Sequence, residues 1–112
     1  MSLTVKEQVE LEMRKEERPS VNELIAQFAV GALLKFQVER SLCLIARYSK
    51  DHSELIKIFW IVMDSETVID KWSLKIALEA NEYLDDNLRK YIFPKNNIKE
   101  IPAIIYEKYP KE

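Results

Sequence analysis

Arg47 and His52 are the residues whose types and spacing point most directly to chemistry on a phosphodiester. They bracket the stretch Arg47-Tyr48-Ser49-Lys50-Asp51-His52. A neutral imidazole can take a proton from a 2′-hydroxyl or return one to a leaving oxygen. A guanidinium can stabilise the charge that builds on the phosphate. The same pair has a structural reading, in which Arg47 places a cation at the C-terminal end of one helix and His52 opens the next. Glu79, Glu82 and Asp85 form a second set, three carboxylates at i, i+3 and i+6. On one helix they could hold magnesium and a nucleotide phosphate, or simply form a solvated face. A resident metal or cofactor is not expected. The chain has one His and one Cys, too few for a zinc finger, and no Glu-x-x-His pair for a carboxylate-bridged centre. Cys43, flanked by Leu42, Leu44 and Ile45, reads as a small core residue rather than a nucleophile.

The stretch from Arg47 to His52 resembles the Arg-x4–6-His motif of the HEPN family, small α-helical domains that often act as ribonucleases. The resemblance implies a metal-independent ribonuclease in which Arg47 and His52 carry the roles above and a dimer brings two motifs together. Two features depart from that family. Tyr48 stands where a polar residue usually follows the Arg, and the motif falls early in the chain. Glu79, Glu82 and Asp85 resemble the Glu-x-x-Glu and Glu-x-x-Asp elements of the all-α nucleotide pyrophosphohydrolases. That family's second acidic helix has only Glu7 and Glu10 as a counterpart, far upstream.

The elements that must carry these residues follow from composition and pattern. The chain has 112 residues, 47% of them apolar and 32% charged, with a formal net charge of -2. That suits one domain with its own core and gives no net attraction to nucleic acid or an anionic membrane. The longest uncharged run, Leu24 to Leu34, is far below the ~20 residues of a membrane span. One cysteine allows no internal disulfide, and the first residues do not resemble a signal peptide, so a cytoplasmic, intracellular location is expected. With 1 Gly and 4 Pro, the chain cannot supply many tight hairpins, which favours an all-α domain.

Thr4-Val5-Lys6-Glu7 is a capping box, and Val5, Val9 and Met13 then make a narrow stripe on a charged helix of about residues 5–17. This arm, residues 1–18, either lies solvated on the body or docks its stripe on another chain. Pro19 breaks the chain at a possible hinge. Ser20-Val21-Asn22-Glu23 opens a helix expected to run to Tyr48, with Leu24, Ile25, Phe28, Ala32, Phe36 and Cys43 at helical spacing. Gly31, between Ala29 and Ala32, reads within it as a place for close approach of another helix. Asp51 is the next N-cap, and Leu55 to Met63 is read as a helix rather than a strand because no comparable strand exists to pair with it. A long helix is expected over 66–92, its buried stripe being Val68, Trp72, Ile76, Ala80, Leu84, Leu88 and Tyr91. Trp60, Tyr48, Tyr83 and the other large aromatics are taken as packing residues. Pro102 suits the first residue of a short helix over 102–108.

The sum is a compact bundle of three to four helices, with a core over 19–93 and a tail over 94–112. The function it favours is a non-enzymatic interaction module, self-associating as a dimer or joined to another protein. Its interface candidates are Val5, Val9, Met13, Phe28, Gly31, Ala32 and Phe36. The ribonuclease using Arg47 and His52 is the first alternative. The second is a subunit of a nucleoprotein complex touching phosphates through Arg40, Arg47, Lys50, Lys57, Lys71 and Lys75. Interleaved Glu39, Asp51, Glu54, Asp70 and Glu79 argue against such a track. No membrane partner is expected.

Overall fold

Local capping sets where most of the helices begin. The computed structural model describes residues 4–14, 18–64, 69–94 and 100–111, without the side chains of 9, 10 and 12–14. Among these residues the chain is all-helical: α1 (Val5–Arg14), α2 (Val21–Ala29), α3 (Lys35–Tyr48), α4 (His52–Met63), α5 (Lys71–Glu79), α6 (Asp86–Ile92) and α7 (Ala103–Lys108). The Thr4 hydroxyl accepts from the Glu7 N–H at 3.1 Å, and the Ser20 hydroxyl from the Glu23 N–H at 3.2 Å. Asp51 accepts from the Ser53 N–H at 3.0 Å. Each satisfies a backbone donor that the first helical turn leaves without a partner. The Thr4–Glu7 capping box, the Ser20 cap and the Asp51 cap stand where the sequence places them, although Glu23 makes no return bond to the Ser20 N–H among the described residues. The end of the arm expected over 15–17 lies outside the described residues.

α3 lies at the centre, packed against α1, α2, α4 and α5. It buries Val38, Leu42, Ile45 and Ala46 against Val21 and Leu24 of α2, Leu55, Ile58 and Phe59 of α4, and Leu74 and Leu78 of α5. Each of these side chains except that of Ala46 contributes about 1.5–3 kcal/mol by leaving water. The β-favouring run Ile58-Phe59-Trp60-Ile61-Val62 is helical, as expected. Four of its five side chains are buried, so its composition reflects a helix covered nearly all round. Arg18 forks onto the largely buried Glu54 carboxylate at 2.7 and 3.1 Å, and the Ser49 hydroxyl donates to the same group at 3.1 Å. The expected hinge at Arg18-Pro19 is thus tied to the α3–α4 turn.

Both long helices expected from periodicity are broken. The first ends at Ala29. Gly31 has φ +77°, its N–H donates to the Phe28 carbonyl at 3.1 Å, and the Ala32 N–H donates to Gln27 at 2.8 Å. This paired pattern is a Schellman cap, which needs a left-handed residue that glycine supplies without strain. A Cβ built at Gly31 would meet nothing within 4 Å. The glycine is therefore a helix stop, and the expected close helix approach across Gly31 and Ala32 is corrected.

The second break separates α5 from α6. Asn81 is fully buried; its amide donates to the carbonyls of Ala46 and Ser49, both at 2.9 Å, and its oxygen accepts from the Tyr83 N–H at 2.7 Å. The Arg89 guanidinium gathers the carbonyls of Glu79, Asn81 and Leu84. Asp85 then caps α6 by accepting from the Asn87 N–H at 2.8 Å. The start of the expected 66–92 helix, residues 66–68, lies outside the described residues, and Asp70 caps α5 through the N–H groups of Trp72 and Ser73. α3 and α5 run parallel, because Glu39 accepts from the Asp70 N–H (3.2 Å) at one end and Asn81 grips the end of α3 at the other. The short last helix begins at Ala103, one residue later than expected, with Pro102 at the N-cap.

Candidate functional site

α5 carries two apolar stripes, and only one enters the core. Leu74 and Leu78, four residues apart, are fully buried. Trp72 and Ile76, also four apart, are 66% and 49% exposed. At 100° per residue the two stripes point away from each other. The expected burial of Trp72, Ile76 and Ala80 is therefore corrected. The Asn81 break frees α5 from the register of α6, and α5 turns Leu74 and Leu78 inward instead.

The exposed stripe has neighbours. Phe93, at the end of α6, packs edge-on against Trp72 with ring centroids 5.5 Å apart. Leu34 and Phe36 stand exposed at the start of α3, the end of the bundle that also carries the start of α5, with Phe36 65% exposed. Phe36 was expected on the stripe of one long α2–α3 helix. The Gly31 break turns α3 so that Val38 and Leu42 face inward in its place. The sequence signal that could have found this face is the pair of competing i, i+4 stripes on 71–79.

The other interface candidates are scattered. Val5 is exposed on α1. Val9 and Met13 lie on α1, but their side chains are outside the described residues. Phe28 is half-buried and packs against the core, while Gly31 and Ala32 form an exposed turn.

Arg47 and His52 face different neighbours. The Arg47 guanidinium sits over the Tyr48 ring, 5.0 Å from its centroid. The His52 ring tilts against Tyr109 at 6.2 Å. Among the described residues no hydrogen bond or ring contact joins the two. Of the aromatics expected to pack, Trp60 is buried, whereas Tyr48 and Tyr83 are exposed, Tyr83 with the Lys50 ammonium over its ring at 5.5 Å.

The three carboxylates do not share a helix. Glu79 ends α5, Glu82 lies in the turn and Asp85 caps α6. The Tyr109 hydroxyl and the Asn87 N–H hold the Asp85 carboxyl below the usual carboxylate range. No cluster of metal-ligating side chains occurs among the described residues. Cys43 is half-buried against the core, and burial pushes its thiol up, away from the thiolate a nucleophile needs. Among the described residues no helix is long and apolar enough to cross a membrane.

Comparisons of this chain with protein-family models, curated proteins and solved structures give no match.

Proposed function

We propose that this protein is a self-associating interaction module whose interface is the outer face of α5. The observation that carries the reading is the second apolar stripe, Trp72 and Ile76 with Phe93 beside them, left in water by a helix whose other stripe fills the core. Contiguous exposed aromatic surface on a small domain is a mark of an association site, and aromatic residues dominate interface energetics.

Charge favours a second copy as the partner. α5 is basic in its first half, at Lys71 and Lys75, and acidic at its end, at Glu79 and Glu82 just beyond. Two copies related by a two-fold axis, with their α5 helices antiparallel, set the basic half of each against the acidic end of the other. Such an isologous contact is self-complementary and closes at two chains.

The test is size-exclusion chromatography with light scattering on the wild type and on Trp72→Glu. The wild type is expected to run as a dimer and Trp72→Glu as a monomer, with the same helical circular dichroism and a melting midpoint that no longer rises with protein concentration. A monomeric wild type, or a Trp72→Glu protein that remains dimeric, overturns the reading.

A further inference from the structure

The segment 101–111 folds back on the body and is attached to α4, at His52 and Trp60, and to the start of α6. Tyr106 stacks on Trp60, with centroids 4.6 Å apart and planes 26° apart. The Trp60 Nε1–H donates to the Tyr109 carbonyl at 2.8 Å. The Tyr109 hydroxyl donates to the Asp85 carboxylate and receives the Asn87 amide at 3.4 Å. Ile105 and Tyr109 are buried, while Ile104 and Tyr106 remain largely exposed. The attachment thus runs through a few side chains.

Two features make this segment separable. α7 has only 6 residues, too few to keep a helix in water without its contacts. Its side chains are also distant in sequence from the groups they grip, Tyr109 lying 49 residues from Trp60 and 24 from Asp85. Trp60 and Asp85 belong to the body, and they would remain in place when the segment leaves. Regions held by few buried contacts open below the global unfolding free energy.

We infer that 101–111 is an exchangeable strap whose release uncovers a docking site for the same segment of a second copy of this chain. The site offers an indole face, one N–H donor and one carboxylate acceptor. Its occupant must present an aromatic ring three residues before a tyrosine, the ring for Trp60, the tyrosine carbonyl for Nε1 and the hydroxyl for Asp85. Tyr106 and Tyr109 have that spacing, and every copy of the chain carries them. This site is separate from the α5 face and does not depend on it.

The probe is a fluorescein-labelled peptide of residues 100–111, titrated into the full chain carrying Trp72→Glu so that the α5 face plays no part. In that background the protein's own strap competes with the peptide. Adding Tyr106→Ala and Tyr109→Phe weakens the strap in place, and the peptide is expected to bind roughly ten-fold more tightly, because the competent open state is more populated. Adding Trp60→Phe to the weakened-strap protein, which keeps a ring but loses the N–H, is expected to weaken peptide binding several-fold. No binding to the weakened-strap protein, or affinities equal in all three, overturns the inference. Hydrogen exchange supplies the second readout. Tyr109→Phe is expected to speed exchange of amides 103–109 while leaving those of α3 and α5 unchanged. Uniform acceleration across the molecule would make the segment part of one cooperative unit and also overturn it.

Discussion

The turns at Gly31 and Asn81 interrupt two segments that both read as continuous helix, yet they do so by opposite means. The Gly31 turn is solved within its own backbone. Its hydrogen bonds run to Gln27 and Phe28, it is exposed, and its special φ is the one glycine tolerates. The Asn81 turn adds distant partners to the near ones that Tyr83 and Arg89 supply. Its side chain reaches Ala46 and Ser49, more than thirty residues away, and it is fully buried. The first turn is a property of a few adjacent residues. The second exists only once α3 lies beside α5, and it locks the parallel arrangement that leaves Trp72 facing outward.

The largest test of this contrast is Asn81→Ala. It leaves the carbonyls ending α3 without their donors inside the protein, at an expected cost of about 3 kcal/mol. Thermal unfolding followed by circular dichroism should show a midpoint lower by roughly 10 °C or more. A cost under about 1 kcal/mol would mean that this turn, too, is set locally.

Gly31→Ala is the next in size, and its sign is the informative part. In a continuous helix the change stabilises by about 1 kcal/mol. At φ +77° with open space around it, it should instead destabilise by about 1–2 kcal/mol, because alanine resists the left-handed region. Gly31→Asn should cost less than half as much, since asparagine tolerates that region. Urea denaturation with an unchanged slope would measure both.

The smallest effect is the pH dependence of the three aspartate caps. The hydroxyls of Ser53 and Ser73 are the main causes lowering Asp51 and Asp70, and the Tyr109 hydroxyl is the main cause lowering Asp85. Each folded carboxyl sits below the ordinary aspartate value, about 3.9. The unfolded chain therefore binds more protons as pH falls through that value, and stability falls with it. The contribution is complete above that value and is lost toward the depressed folded values. Replacing Asp51 and Asp70 by Asn should keep the caps and flatten the denaturation midpoint against pH between about 5 and 2. An unchanged slope would place the acid sensitivity elsewhere.

The candidate site was legible only in part. Periodicity marks Trp72 and Ile76 as one face of a helix, and it marks Leu74 and Leu78 as another. Nothing local ranks the two. A hydrophobic side chain is buried by whichever neighbour is available, and that neighbour is chosen by the Asn81 grip on α3. Arg47 and His52 were legible as residue types at a suggestive spacing. Their surroundings were not, because Tyr109 reaches His52 from the far end of the chain. The Asp85 cap was hidden for a similar reason, since a carboxylate inside an apparently continuous amphipathic run looks like solvated surface.

The sequence by itself determined the all-helical class, the starts of α1, α2 and α4, and the helical state of 52–63. Those follow from short-range rules: few glycines and prolines, hydroxyl and carboxylate caps three or fewer residues from their donors, and apolar spacing. Tertiary structure alone decided where the 66–92 segment breaks, which stripe of α5 enters the core, and what covers Trp60. Those depend on hydrogen-bond donors and apolar surfaces brought together from distant parts of the chain, whose competition for burial no local pattern records.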